Sequence, residues 1–481
     1  MKKLIVILFI IFGSFLTFSL YKTFAYDTSV VEEVPSTTDL EYTVKIGNSS
    51  IKQITVDSGE TRYYDIVLGN PNNAKISYSV YYEMVSPSTK PDGYKIEYTS
   101  KSTGNSTGIV NNNGNITLNI VVTNTSSSSV TVKVGTVAGY VKGGELTLNS
   151  GQEVIPKRLT AAEYVMTLND NTSGDEGSGV YKIEHSAIPA SNSATGSEIP
   201  AVTDYRYYGP NPNNYICLDM EGGSTCPDKH LYRIIGSIYE EKENTNRIKL
   251  IKATPLTDGT TSAFSWDYTS SGSYSNIWAT ITSGNYSNSL TSGSTLMQLL
   301  NSGAWWNGTS GSYYNQSNTA TTVNFTNYKL SDKAKSYITT SRYYLGGFNN
   351  TPPLTNEMYG YERGTLRYDT NRPLYWEGMV GLMYPSDYGY AAGNSCVNGT
   401  KLYDYNGYGN KDWLYISDIY QSLMSPYSGH FCSLFSVGYA GRVVIDNDVF
   451  EDLAVSPVFY LTSTTSIIDG DGSLNNPYLL K

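Results

Sequence analysis

Two rhythms of apolar and polar positions divide the chain. Between about residues 40 and 159, short runs rich in Val, Ile, Thr and Tyr alternate with polar residues, as in Ile116, Leu118, Ile120 and Val122. A two-residue period turns one side of each run inward and predicts half-buried strands. The runs 51–56, 62–68, 76–84, 116–123 and 130–137 are separated by turn formers such as Asn70-Pro71-Asn72-Asn73 and Asn111-Asn112-Asn113-Gly114. Residues 139–155, with Leu146, Leu148 and Val154, read as closing strands, and 161–168 as a short terminal helix. The pattern predicts an all-β, Ig-like sandwich over 40–168. The sandwich serves as a stalk or as a binding domain.

Residues 169–204 begin with an Asn, Asp, Ser and Gly tract and continue in Ser, Ala, Pro and Thr, a composition that predicts a flexible linker. From 205 to 481 both periods occur. Two apolar runs, 231–239 and 247–253, flank Asn244-Thr245-Asn246 and predict a hairpin. Leu296, Leu299 and Leu300 have helical spacing before Gly303, and Ser331 caps a second short helix carrying Ala334 and Ile338. Gly-, Tyr- and Trp-rich loops follow, then strands at 438–445, 455–461 and 475–479. The expected architecture is multidomain: the sandwich followed by an α+β, loop-rich domain.

The start of the chain carries an address. Met1-Lys2-Lys3, an apolar run over 4–20, Lys22 and Thr23-Phe24-Ala25 predict a signal peptide or an N-terminal membrane anchor over 1–26. Either reading puts the rest of the chain outside the cytoplasm. There, Cys217, Cys226, Cys396 and Cys432 are expected as disulfides; of three connectivities, Cys217–Cys226 with Cys396–Cys432 closes the shortest loops. Only 16% of the 481 residues are charged while 13% are aromatic, so polarity comes from Ser, Thr, Asn, Gly and the 44 tyrosines. A net charge of -10 argues against a nucleic-acid partner. Three histidines are too few for a multi-histidine metal centre, and no cofactor or metal is expected.

Four segments carry a resemblance. Tyr232-Arg233-Ile234-Ile235-Gly236, Gly381-Leu382-Met383-Tyr384-Pro385-Ser386-Asp387-Tyr388-Gly389-Tyr390-Ala391, Val455-Ser456-Pro457-Val458-Phe459-Tyr460-Leu461 and the closing Gly470-Asp471-Gly472-Ser473-Leu474-Asn475-Asn476-Pro477-Tyr478 are its carriers. Over 205–481 they resemble an uncharacterised extracellular domain family of surface proteins in gut Firmicutes and their relatives. The resemblance implies a cell-surface location and brings no activity. Early helices followed by loop-rich β structure are also similar to the C-type-lectin-like fold of formylglycine-generating enzymes. The sandwich with its leader is similar to exported biofilm-fibre and camelysin proteins.

Candidate chemistry lies in the aromatic loops. Trp305, Trp306, Trp376, Tyr384, Tyr388, Tyr390, Tyr403, Tyr405, Tyr408 and Trp413 sit among Gly, Asn and Asp. Aromatic faces stack on sugars or partner side chains while nearby polar groups orient the ligand. Trp305, Trp306, Trp376, Tyr384, Asp387, Tyr388 and Trp413 are therefore the candidate ligand contacts; the alternative is that these rings fill a core. Asp469-Gly470-Asp471-Gly472-Ser473 offers oxygens like a calcium loop but lacks the EF-hand's twelfth-position Glu, and suits a turn equally well. Asp446, Asp448, Glu451 and Asp452 form a second acidic group, solvated or metal-binding. Catalysis has weaker support. Glu357, Glu362, Glu377 and Asp387 could supply a glycosidase pair, His185, His230 and His430 lack a Gly-x-Ser-x-Gly partner, and Cys396 with Cys432 could form a copper-holding thiol pair. No catalytic residue is assigned. The expectation is a secreted or anchored surface protein binding a glycan, cell-wall polymer or protein. Its rivals are an extracellular enzyme, either formylglycine-generating-like or carboxylate-dependent, and a structural surface-layer or biofilm component.

Overall fold

The computed structural model describes residues 53–99, 101–140, 146–169, 174, 177–282, 285–286, 290–406 and 411–481, and the backbone strands Tyr21–Lys22 and Thr43–Ile46. All of the expected leader except Tyr21 and Lys22 lies outside them. Among the described residues no helix is long and apolar enough to cross a membrane. Strand accounts for 38% and helix for 13%, so the protein is mostly β. Two compact units meet in sequence at Leu159 and Thr160.

The first unit stacks two antiparallel sheets. One runs in the order Tyr21–Lys22, Thr43–Ile46, Glu60–Gly69, Asn115–Asn124, Tyr94–Tyr98; the other runs Gln152–Val154, Ile76–Ser86, Val130–Tyr140, Gln53–Val56, with Thr107–Val110 also beside Ile76–Ser86. The alternating residues Ile116, Leu118, Ile120 and Val122 join Val56, Ile66, Val80 and Val132 in a shared core. Turns form where Asn is concentrated. The Asn70 carboxamide accepts from the Asn72 amide at 3.0 Å and donates to the Ala74 carbonyl at 2.8 Å, closing the 70–73 turn with its own side chain.

The second unit is built on a nine-stranded sheet. Its centre is the expected hairpin, Leu231–Glu240 antiparallel to Thr245–Lys252, with Asn244 in the left-handed conformation at the turn. Val458–Leu461 and Ile338–Thr339 extend one side, while Tyr215–Cys217, Tyr478–Leu480 and Ile467–Asp469 extend the other. Gly236 sits in a bulge where an added Cβ would come within 2.3 Å of the Tyr205 carbonyl, so only glycine lets the strand Val202–Tyr208 approach. Helix Thr295–Asn301 is capped by Ser294 and buries Leu296, Leu299 and Leu300; Asp332–Ser336 is capped by Ser331. No described helix exceeds the eight residues of Thr355–Glu362.

Two boundaries depart from expectation. Helix Ala161–Thr167 belongs to the second unit, because Ala161, Ala162 and Val165 enter its core rather than that of the sandwich. The supposed linker 169–204 is largely ordered structure: Gly179–His185 and Val202–Tyr208 pair along seven residues and join the main sheet. Its Ser- and Thr-rich surface hid a strand pair whose inward residues include His185, Asp204 and Arg206.

These three residues open a charged lattice inside the second unit. Asp387, 1% exposed, accepts from Arg206 Nη1 at 2.7 Å and from Lys249 Nζ. Arg206 Nη2 reaches Asp204 at 2.8 Å, and Asp204 also takes the Tyr239 amide at 2.9 Å and faces His185 Nε2 at 3.0 Å. Glu362 accepts from the Ser386 amide and hydroxyl and lies 3.3 Å from Arg363. Arg363 and His185 each lie on the Tyr359 ring, 3.5 and 3.7 Å from its centroid. Three carboxyl groups thus meet three cationic side chains in buried surroundings, where removing one partner strands the others. All six tryptophans lie between residues 266 and 413, so tryptophan fluorescence of the intact chain follows this unit alone. We expect Asp387→Asn to destabilise it by about 3–5 kcal/mol, read as a shift of the tryptophan-monitored urea transition; a midpoint matching the wild type would show that the lattice contributes little.

Candidate functional site

The aromatic residues singled out in sequence are interior. Trp376, Tyr384, Tyr388 and Trp305 are each at most 2% exposed, Trp413 is 7% exposed, and Trp306 is half-buried beneath Lys335. They cannot form the expected ligand-contacting face. The physical reason is packing: Trp376 meets Trp278 and Tyr343 ring to ring, and three of the other groups find backbone partners within the core. The Tyr388 hydroxyl donates to the Gly441 carbonyl at 2.6 Å, the Tyr384 hydroxyl to Tyr344 at 3.1 Å, and Trp413 Nε1 to Tyr207 at 3.1 Å. Tyr and Trp do here what Leu and Ile do elsewhere; the three polar ends just named are satisfied, while Trp376 Nε1 is buried with no partner among the described residues. Tyr390 and Tyr405 are buried as well, Tyr403 is exposed, and Tyr408 lies outside the described residues.

The carboxylates are equally committed. Burial works against the charged form of Asp387, but Lys249 and Arg206 outweigh it and hold this carboxyl below its ordinary range. Burial pushes Glu362 up to about 7, against the opposing pull of Arg363 and Ser386. Such a split suits an acid–base pair, yet both groups are sealed from solvent and no substrate reaches them. Glu377 is held by Arg342 and Lys242. His185 sits in the lattice, and His230 is buried against Glu221. In the 469–473 segment, the Asp469 and Asp471 carboxylates accept from the Gly470 and Ser473 amides, and both glycines take left-handed backbone, as a turn requires.

The cysteines divide. Cys217 and Cys226 form a disulfide of S–S 2.00 Å at the end of a sheet strand. Cys396 and Cys432 do not join each other, contrary to expectation; both are buried. The Cys432 sulfur faces His430 Nδ1 at 3.2 Å and Asp448 Oδ1 at 3.3 Å instead. Burial, with Asp448 adding to it, pushes the Cys432 thiol up to about 11, which is the wrong direction for a nucleophile at neutral pH.

An open aromatic face lies beside that thiol. Phe431 and Tyr368 are 37% and 44% exposed, and their rings are 6.3 Å apart. Tyr274 stacks on Phe431 at 5.9 Å with a 14° tilt, and Phe450 meets Tyr274 edge-on at 5.0 Å. Beneath the face, a pocket is lined by Arg367, Arg372, Trp278, Leu345, Tyr368 and Tyr427 among others. The loop carrying Phe431 is pinned from below. Asn276 Nδ2 donates to the carbonyls of Tyr427, His430 and Ser433 at 3.0, 3.0 and 2.6 Å, and its amide donates to Phe431 at 2.8 Å. Arg372 Nη2 adds a second bond to the Phe431 carbonyl at 3.1 Å, and Nη1 donates to Asn276 Oδ1. Tyr274, Phe431 and Asn276 were not singled out in sequence. The available signal was a tyrosine with Gly272-Ser273 before it and Ser275-Asn276 after it, a composition suited to an exposed rigid ring.

The carboxylate split has a measurable signature. An unfolded glutamate is already ionised above pH 6, whereas folded Glu362 keeps its proton to about 7, so folding loses stability as pH rises through that range. Burial holds His185 below its ordinary value, which gives a slope of opposite sign, but that contribution is common to both proteins and cancels in the difference between them. We expect the stability of Glu362→Gln relative to wild type to increase between pH 6 and 8, measured by tryptophan-monitored denaturation; a constant difference would mean that Glu362 is ionised throughout. No protein-family model, curated protein or solved structure matches this chain, so the site stands on its own geometry.

Proposed function

We propose that the chain is an extracytoplasmic bacterial surface protein whose second unit binds an acidic glycan on the face formed by Tyr274, Tyr368 and Phe431. In this reading the first unit is an Ig-like spacer, the second is an elaborated C-type-lectin-like domain of the Firmicutes surface family, and the N-terminal segment exports or anchors the chain. The single observation that carries the ligand class is the pairing of open rings with arginine. Phe431 on its pinned loop and Tyr368 beside it, each exposed by a third or more, with half-buried Tyr274 behind them, offer flat apolar faces for the C–H side of a sugar. Arg367 lines the adjoining pocket; its Nη1 donates to the Arg372 carbonyl at 2.6 Å, and no carboxylate pairs with it among the described ion pairs. On a protein of net charge -10, an arginine in that position selects a carboxylate or phosphate substituent locally.

The reading is tested with the full exported chain on an array of neutral and acidic glycans. Tyr368→Ala combined with Phe431→Ala should lower affinity about tenfold, the loss of roughly 0.5–1.5 kcal/mol per stacked ring. Arg367→Ala should remove the preference for acidic over neutral glycans. Unchanged tryptophan-monitored stability would exclude unfolding as the cause. Binding that survives all three changes would move the ligand to another surface.

A further inference from the structure

We propose that His430, Cys432 and Asp448 form a zinc(II) site at one end of an antiparallel sheet of three strands, Gln421–Pro426, Ser433–Val437 and Val443–Asp448. The inference is independent of glycan binding and stands on the donor set and on how it is held. A nitrogen, a sulfur and a carboxylate oxygen lie within 4.8 Å of one another. These are the three ligand types that zinc takes most readily, and three protein ligands leave a fourth position open. At a tetrahedral zinc ion, metal–ligand lengths of about 2.0–2.3 Å place neighbouring donors roughly 3.4–3.6 Å apart. The sulfur stands 3.2 Å from His430 Nδ1 and 3.3 Å from Asp448 Oδ1, so these two edges must open by about 0.3 Å, and the third, between His430 and Asp448, lies within 4.8 Å. His430 is solvent-exposed, which gives an ion access.

Both halves of the set are positioned before any ion arrives. The sheet register sets Ser433 opposite Asp448, and the Val449 amide donates to the Cys432 carbonyl at 2.8 Å, fixing sulfur and carboxylate on adjacent strands. Ser433 Oγ donates to Asp448 Oδ1 at 3.0 Å, an outer contact that orients the carboxylate. The four bonds from Asn276 and the one from Arg372 hold the loop that aims His430 at the same point. On binding, the Cys432 thiol gives one proton to solvent and its sulfur bonds to the ion; thiolate and carboxylate together cancel the two positive charges, with His430 neutral.

The test is a cobalt(II) titration of the full chain after chelator treatment. One equivalent should produce a near-ultraviolet thiolate-to-cobalt absorption band that zinc(II) displaces. Cys432→Ser should abolish it and Cys396→Ser should keep it. His430→Ala and Asp448→Asn should each weaken cobalt affinity at least tenfold. Because His430 is exposed, its variant is expected to fold even if Cys432→Ser does not. The proposal is overturned if no band forms, if the band survives Cys432→Ser, or if affinity is unchanged in both the His430 and Asp448 variants, since a lone thiol would then account for binding.

Discussion

Asp387 is the group on which the second unit depends. It meets Arg206 from the strand Val202–Tyr208 and Lys249 from Thr245–Lys252, and it caps the helix Pro385–Ala391 by accepting the Tyr384 amide. One buried carboxylate therefore ties two strands of the main sheet to the start of this helix. An apolar side chain could fill the same space, but it could not specify which strand faces which helix. Charge pairing in low dielectric is unforgiving of alternatives, because every mispaired arrangement leaves an ion without a partner.

The same lattice explains what was legible in the sequence. The strands of the first unit were legible because alternation alone defines a half-buried strand: 116–123 was expected and Asn115–Asn124 forms. The hairpin at 231–253 and the two Ser-capped helices carried equally local signals. Residues 179–208 were illegible for the opposite reason. Their inward positions are His, Asp and Arg, paired with one another and, through Arg206, with Asp387 181 residues away, and a local pattern of polar residues reads as a loop.

The candidate site failed to show itself for a related reason. Composition singled out Tyr and Trp, but it cannot tell an aromatic core from an aromatic surface. Trp376 and Phe431 differ only in whether a neighbouring layer covers them, which is a tertiary fact. The Cys432 environment was similarly hidden: loop-closure reasoning pairs it with Cys396, whereas a sheet register brings Asp448 to it across a hairpin. His430 and Asp448 were both noticed, separately, and only the fold makes them neighbours.

The pairing of Tyr478–Leu480 with Tyr215–Cys217 has a consequence for biogenesis. More than two hundred residues separate these parallel neighbours, and the amide of Ala161 likewise bonds the carbonyl of Thr465. The unit is stitched between distant segments, so no partial chain emerging from a ribosome can complete the sheet. Folding by such distant closures is slow. It also keeps a growing polypeptide threadable until the closing strand has been delivered, making the second unit all-or-none in time as well as in structure.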